Sequence, residues 1–138
     1  MQLNTYLIFN GQCEAAFKFY EQAIGAKIKF MMTHGESPMA AHVSAEWHSK
    51  IIHGTLALGE QVLMGSDAPP DHYEKPQGFS VSIDVTDPAE AERMFQALSE
   101  NGRITMPMQE TFWAVRFGMA TDQFGVPWMV NCAKVPPA

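Results

Sequence analysis

The sequence predicts an α+β protein built from two βαβββ modules, and three observations carry that prediction. A short β-branched or aromatic strand is followed by an apolar helical stripe at two places in the chain. The elements after each stripe repeat in the same order, although residue identity between the halves is weak. Two glycines, Gly25 and Gly102, stand at the expected ends of the two helices, a little more than half a chain length apart. Each half reads as a small curved sheet with one helix on its convex side. Alone, neither half buries its concave face; two packed edge to edge would enclose a cleft.

In chain order, Thr5 to Phe9 is a buried strand broken by Asn10-Gly11. From Cys13 to Ile24 the apolar residues fall at positions 13, 16, 17, 20 and 24, one face of a helix, and Gly25 stands where a C-terminal glycine cap belongs. Lys27 to Met32 alternates, with Ile28, Phe30 and Met32 on one face and the two lysines on the other. Residues 35–50 have no clear period and read as a long loop with a helical turn near Met39 to Val43. Ile51 to Leu58 and Gln61 to Ser66 form a hairpin around Gly59-Glu60. These elements make a first module over 1–66, and the breaker-rich stretch 67–78 is its linker to the rest.

The second module and the tail occupy 79–138. Phe79 to Val85 alternates strictly, with Ser80, Ser82 and Asp84 on the face opposite Phe79, Val81, Ile83 and Val85. Asp87-Pro88-Ala89-Glu90 is a helix start: Asp87 caps, Pro88 takes the first turn and Glu90 closes a capping box. Ala91, Met94, Phe95 and Leu98 form the buried stripe, and Asn101-Gly102 ends the helix. Strands follow at about 104–109, 113–121 and 126–132, the last two joined by a turn at Asp122 to Gly125.

Composition excludes several function classes. The chain has 138 residues, is 46% hydrophobic and only 17% charged, and carries a net charge of -6. Nine basic residues with no basic run make a poor nucleic-acid binder, because phosphate contacts need clustered cations. No apolar run approaches the ~18 residues of a membrane helix, and the N-terminus has no signal-peptide pattern. Two cysteines, Cys13 and Cys132, provide neither a disulfide framework nor a zinc knuckle. The expected setting is soluble and cytoplasmic.

A set of local motifs then narrows the family. Tyr6-Leu7-x-Phe9-x-Gly11 is followed by Glu14-Ala15, Phe19-Tyr20, His53 and Leu63-Met64-x-Ser66-Asp67. The most specific block is Trp113-x-x-Arg116-Phe117-Gly118 with Asp122-x-Phe124-Gly125-x-x-Trp128. In this order, over nearly the whole chain, the set resembles the vicinal-oxygen-chelate superfamily of glyoxalase I, fosfomycin- and bleomycin-resistance proteins and extradiol dioxygenases. Within it the chain is similar to the PhnB-like branch, whose members often carry the name 3-demethylubiquinone-9 3-methyltransferase. The resemblance implies a small-molecule ligand, a homodimer and up to four metal ligands, His, Glu or Gln, on concave strand positions. Carried onto this sequence, those positions are Thr5, Met64 to Ser66, Ser80 and Met129, none a usual ligand for a divalent ion. The expectation is therefore no cofactor and no complete metal site.

Five histidines, His34, His42, His48, His53 and His72, lie in the first half without the HxH or HxxxH spacing of a ligand pair. His53 stands apart because it opens a strand; it is the candidate general base, or else a tie between the 35–50 loop and the sheet. Arg116 sits amid apolar residues, with small Ala114 and Gly118 two positions away. It is either an anion anchor in the cleft, with Trp113, Val115, Phe117 and Met119 turned toward the second helix, or a salt-bridge partner of Asp122 or Asp84. Phe9 and Trp113 would add aromatic wall to the pocket, and Ser80, Ser82 and Asp84 polar handles. Cys13 lies on the helix stripe and reads as inert core. The favoured function is a small-molecule-binding protein without a complete metal site, as the bleomycin-resistance branch exemplifies. The alternatives are a metal-dependent isomerase, lyase or transferase with His53 or Asp84 as ligands, and a dimer serving only as an interaction module.

Overall fold

A computed structural model describes residues 1–135. The chain divides into two compact units, Met1–Glu74 and a second beginning at Lys75. The first holds β1 (Thr5–Phe9), α1 (Cys13–Ile24), β2 (Lys27–Thr33), β3 (Ile51–Leu58) and β4 (Gln61–Asp67). The second holds β5 (Val81–Asp84), α2 (Pro88–Ser99), β6 (Arg103–Gln109), β7 (Ala114–Thr121) and β8 (Pro127–Ala133). Each is a βαβββ module with a four-stranded mixed sheet, ordered β1-β4-β3-β2 in the first and β5-β8-β7-β6 in the second. In both, the strand before the helix pairs parallel with the last strand and the other neighbours are antiparallel. No helix of the described residues is long and apolar enough to cross a membrane.

In the first unit α1 lays Ala16, Phe17, Tyr20 and Ile24 onto one sheet face. Leu7, Phe9 and Leu56 meet them there, and Phe9 packs edge-on against Phe17 at 6.0 Å. Gly54 and Gly65 lie side by side under the Phe17 ring, and a Cβ at either would stand 3.0–3.2 Å from it. The helix sits close because those two positions carry no side chain. Gln12 gives α1 no side-chain cap. Asp67 supplies one from the far end of β4: its carboxylate accepts from Cys13 N at 2.8 Å and from Ile51 N at 2.9 Å. Asp67 is thus a buried member of the last strand and not linker.

The second unit buries Ala91, Phe95 and Leu98 of α2 against Trp128, Val130 and Cys132 of β8. Asp87 caps α2 by accepting from Ala89 N, as its sequence suggests, but Glu90 pairs with Arg93 and not back to the cap. Gly125, with φ 90°, makes the β7–β8 turn, where the Asp122 carboxylate accepts from Phe124 N, Val126 N and the Trp128 indole.

Two further sequence expectations fail at single residues. Lys29 is bulged out of the β2–β3 pairing, so Ile28 pairs with Leu56 while Phe30 pairs with Thr55. The bulge puts Ile28 on the helix side and Phe30 on the other, breaking the predicted alternation. Gly25 is the left-handed cap of α1 with φ 74°, but at the end of α2 that conformation belongs to Asn101, with φ 58°. Gly102 is required for a different reason: a Cβ there would lie 2.3 Å from the Thr121 carbonyl oxygen.

Candidate functional site

Each helix covers one face of its sheet, so the opposite face of each unit is where side chains remain available. In the first unit the strand register puts Tyr6 beside Met64 and Ile8 beside Ser66, on the face away from Leu7 and Phe9. Thr55 and Met64 are partners, as are Met32 and His53, which brings Phe30, Met32, His53 and Thr55 to the same face. Tyr6 reaches across β4 to His53 on β3. Its hydroxyl lies 3.1 Å from His53 Nδ1 and the two rings stack at 5.7 Å. Phe30 lies on the other side of the imidazole, 6.1 Å between centroids. Tyr6, Phe30 and Ile8 are 42%, 46% and 36% exposed, so apolar ring surface surrounds a half-buried imidazole.

This arrangement fixes what His53 can do. Nδ1 is engaged by the phenol, and among the described residues Nε2 makes no hydrogen bond. If the tyrosine hydroxyl donates to Nδ1, Nε2 carries the proton and offers a donor. If Nδ1 donates to the phenol oxygen, Nε2 offers a lone pair. Nε2 can thus donate to a polar group in the first tautomer, and accept a hydrogen bond or a proton from one in the second.

The open face of the second sheet carries a different set. Asp84, Asn131 and Phe117 are successive register partners across β5, β8 and β7, as are Ser82, Met129 and Met119. Asn131 joins two elements: its Nδ2 donates to Asp84 Oδ1 at 2.9 Å, and its Oδ1 accepts from the Trp113 indole at 3.0 Å.

The sequence candidates distribute unevenly over these faces. His53, Ser82, Asp84 and Trp113 are on or beside open faces. Ser80 precedes β5 and is partly buried. Phe9 does not line a pocket; at 1% exposure it is core against Phe17. Arg116 corrects the sequence reading most. It lies on the helix side of β7, where it is ion-paired with Glu92 of α2 and not with Asp122 or Asp84. Its Nε donates to Glu92 Oε1 at 2.6 Å. The small residue two positions on is small for the helix: a Cβ on Gly118 would meet the Phe95 ring of α2 at 2.8 Å. Phe117 and Met119 accordingly face away from α2, the reverse of the expected arrangement.

Of the remaining histidines, His34 is buried with Nε2 at 3.2 Å from the Asp67 carbonyl oxygen. His48 Nε2 lies 2.9 Å from the Ala40 carbonyl oxygen. His72 is exposed beside Asp71, and His42 is exposed. Burial first, then the Asp67 and Glu14 carboxylates, drives the Cys13 thiol pKa far above its ordinary value. The fully buried thiol stays protonated and is no nucleophile.

Tyr6, which sequence reasoning passed over as a site residue, and Asn131 are the additions. The same face assignment bears on the implied metal positions. Thr5 shares the parity of Leu7 and Phe9, so Tyr6 stands on the open face in its place. The side chains at the matching open positions are then the Tyr6 phenol, the Met64 and Met129 thioethers and the Ser66 and Ser82 hydroxyls. These donors do not fit a tight divalent site, which takes imidazoles and carboxylates.

Comparison with known proteins gives one family. The model described as the Glyoxalase/Bleomycin resistance protein/Dioxygenase superfamily matches residues 2–130. Protein YjdN of Escherichia coli (strain K12) is 38% identical over 145 residues, covering 99% of both chains. The crystal structure of protein PA1353 from Pseudomonas aeruginosa is 47% identical with a TM-score of 0.89, over 98% of this chain and 99% of that one. A PhnB protein from Bacillus cereus shares the fold at 23% identity, with a TM-score of 0.80 over 96% of this chain and 100% of its own.

Proposed function

Because the chain belongs to the glyoxalase/bleomycin resistance protein/dioxygenase superfamily, we propose that it is a small-molecule-binding protein whose ligand sits on the open face of the first sheet. The observation that carries this reading is the Tyr6–His53–Phe30 platform. Exposed aromatic surface around an imidazole with one free nitrogen suits a flat, largely apolar molecule bearing one polar group. Phenol, catechol and benzyl alcohol are simple probes of it. In titrations followed by NMR, they are expected to move the ring resonances of His53, Tyr6 and Phe30 and to leave those of the buried Phe9 and Phe17 in place. Probes that bind without moving His53 would remove the platform from the site.

A second reading, a metal-dependent isomerase, lyase or transferase, is favoured by one observation: His53 and Asp84, both able to ligate, lie on open faces. The donor set weighs against it, and we propose that no divalent ion is tightly held. We also propose a homodimer, since within each unit the outer strands of the sheet leave backbone groups that another chain could cover. Native mass spectrometry of the purified protein tests both: the expected species is a dimer with no metal adduct. A monomer at tens of micromolar contradicts the assembly. One retained metal per chain, lost in His53→Ala or Asp84→Ala, contradicts the metal-free reading.

A further inference from the structure

We propose that the open face of the second sheet is a binding site for an organic cation, with the Asp84 carboxylate as its counter-charge and the Trp113 ring as its wall. The inference goes beyond the ligand platform of the first unit and concerns different residues.

The polar chain Trp113–Asn131–Asp84 has only one orientation. An indole N–H is solely a donor, so it must meet the amide oxygen of Asn131, which leaves the amide N–H to point at Asp84. Asn131 is therefore a positioning residue that holds the carboxylate and the indole on one face. It is a neutral partner and does not cancel the charge of Asp84. Among the described residues no cation of this unit pairs with it: Arg93, Arg116 and Lys134 are held by Glu90, Glu92 and Glu110, and neither Lys75 nor Arg103 makes an ion pair with Asp84. Asp84 Oδ2 makes no hydrogen bond among the described residues.

The indole is held in turn. Phe112 and Phe117 meet it edge-on at 4.8 and 5.2 Å, yet Trp113 remains 42% exposed. An exposed electron-rich ring beside an unneutralised carboxylate attracts a cation through both its quadrupole and the ion pair. The same pair of groups repels carboxylates and phosphates. With Arg116 committed to α2, this face has the opposite charge preference to the anion anchor that the sequence suggests. The chemical class it fits is a small organic ammonium, amidinium or cationic heteroaromatic. A compact metal ion fits poorly, since one carboxylate and a ring do not replace its hydration shell.

The test uses benzylammonium, with benzyl alcohol and benzoate as neutral and anionic isosteres, titrated into the intact protein while the Trp113 indole and Asn131 amide NMR signals are followed. Benzylammonium is expected to shift both signals and benzoate neither. Asp84→Asn, whose fold is checked by thermal unfolding, is expected to weaken benzylammonium at least fivefold, and 0.5 M salt is expected to weaken it in the wild type as well. Equal binding of benzoate, or undiminished benzylammonium binding by Asp84→Asn, overturns the proposal. The reporters are separate from those of His53, so failure here leaves the first platform standing, and the converse.

Discussion

Gly102→Ala is expected to destabilise the protein by about 3 kcal/mol, at the upper end of the overpacking range. The new methyl would stand 2.3 Å from the Thr121 carbonyl oxygen and 3.0 Å from the Asp122 backbone. Neither neighbour is a flexible side chain. Thr121 is paired with Arg103 at the start of β6, so relief requires opening the end of the β6–β7 ladder. Asp122 anchors the turn and the Trp128 indole, so the backbone there is held from the other side too. The control is Gly25→Ala. Gly25 has a left-handed φ of 74° but nothing within 4 Å of its would-be Cβ. That change should cost only about 1 kcal/mol of backbone strain. Denaturant unfolding of both variants checks the prediction, and a Gly102→Ala midpoint no lower than that of Gly25→Ala contradicts it.

Asp67→Ala is expected to lose a similar amount, about 3 kcal/mol. The substitution removes a buried carboxylate and leaves two backbone amides, Cys13 N and Ile51 N, without their acceptor. A hydrogen bond to a charged group is worth about 1.5–3 kcal/mol, and a stranded buried donor adds its own desolvation penalty. The Cys13 amide also opens α1, where a carboxylate is favoured by the helix dipole. Asp67→Asn keeps one acceptor oxygen and should recover about half of the loss. The comparison is read from the same unfolding curves. If the alanine variant falls by less than about 1 kcal/mol, or the asparagine variant matches it, Asp67 is not the cap described.

The sequence made element identity legible because its periods are long and clean. The α1 stripe and its Gly25 cap were readable to the residue, since a twelve-residue helix gives several turns of agreement. Face assignment was much less legible. Tyr6-Leu7-Ile8-Phe9 is an uninterrupted apolar run, so alternation cannot say which pair faces the helix, and Phe9 lies in the core against Phe17 and not in a pocket wall. In β2 a single bulged lysine moved Phe30 onto the face that Ile28 does not share, and nothing in the local sequence marks a bulge. Arg116 misled for a chemical reason. Small neighbours on a strand leave room, but a helix uses such room as readily as a ligand does, and the Phe95 ring fills it. The pairing of Tyr6 with His53 and the link from Trp113 to Asp84 both cross strands that are distant in sequence. They follow from sheet order and were out of reach of any local pattern.

On the function proposed above, an aromatic ligand is held at His53 on the open face of the first sheet and not at Arg116. The most direct test is the dissociation constant of one aromatic probe, catechol, for wild type, His53→Ala and Arg116→Ala. His53→Ala is expected to raise it about tenfold, the value of one good hydrogen bond with its ring contact. Arg116→Ala is expected to leave it within twofold, because its guanidinium is turned to Glu92 on the far side of β7. A tenfold loss in Arg116→Ala with His53→Ala unchanged would contradict the account.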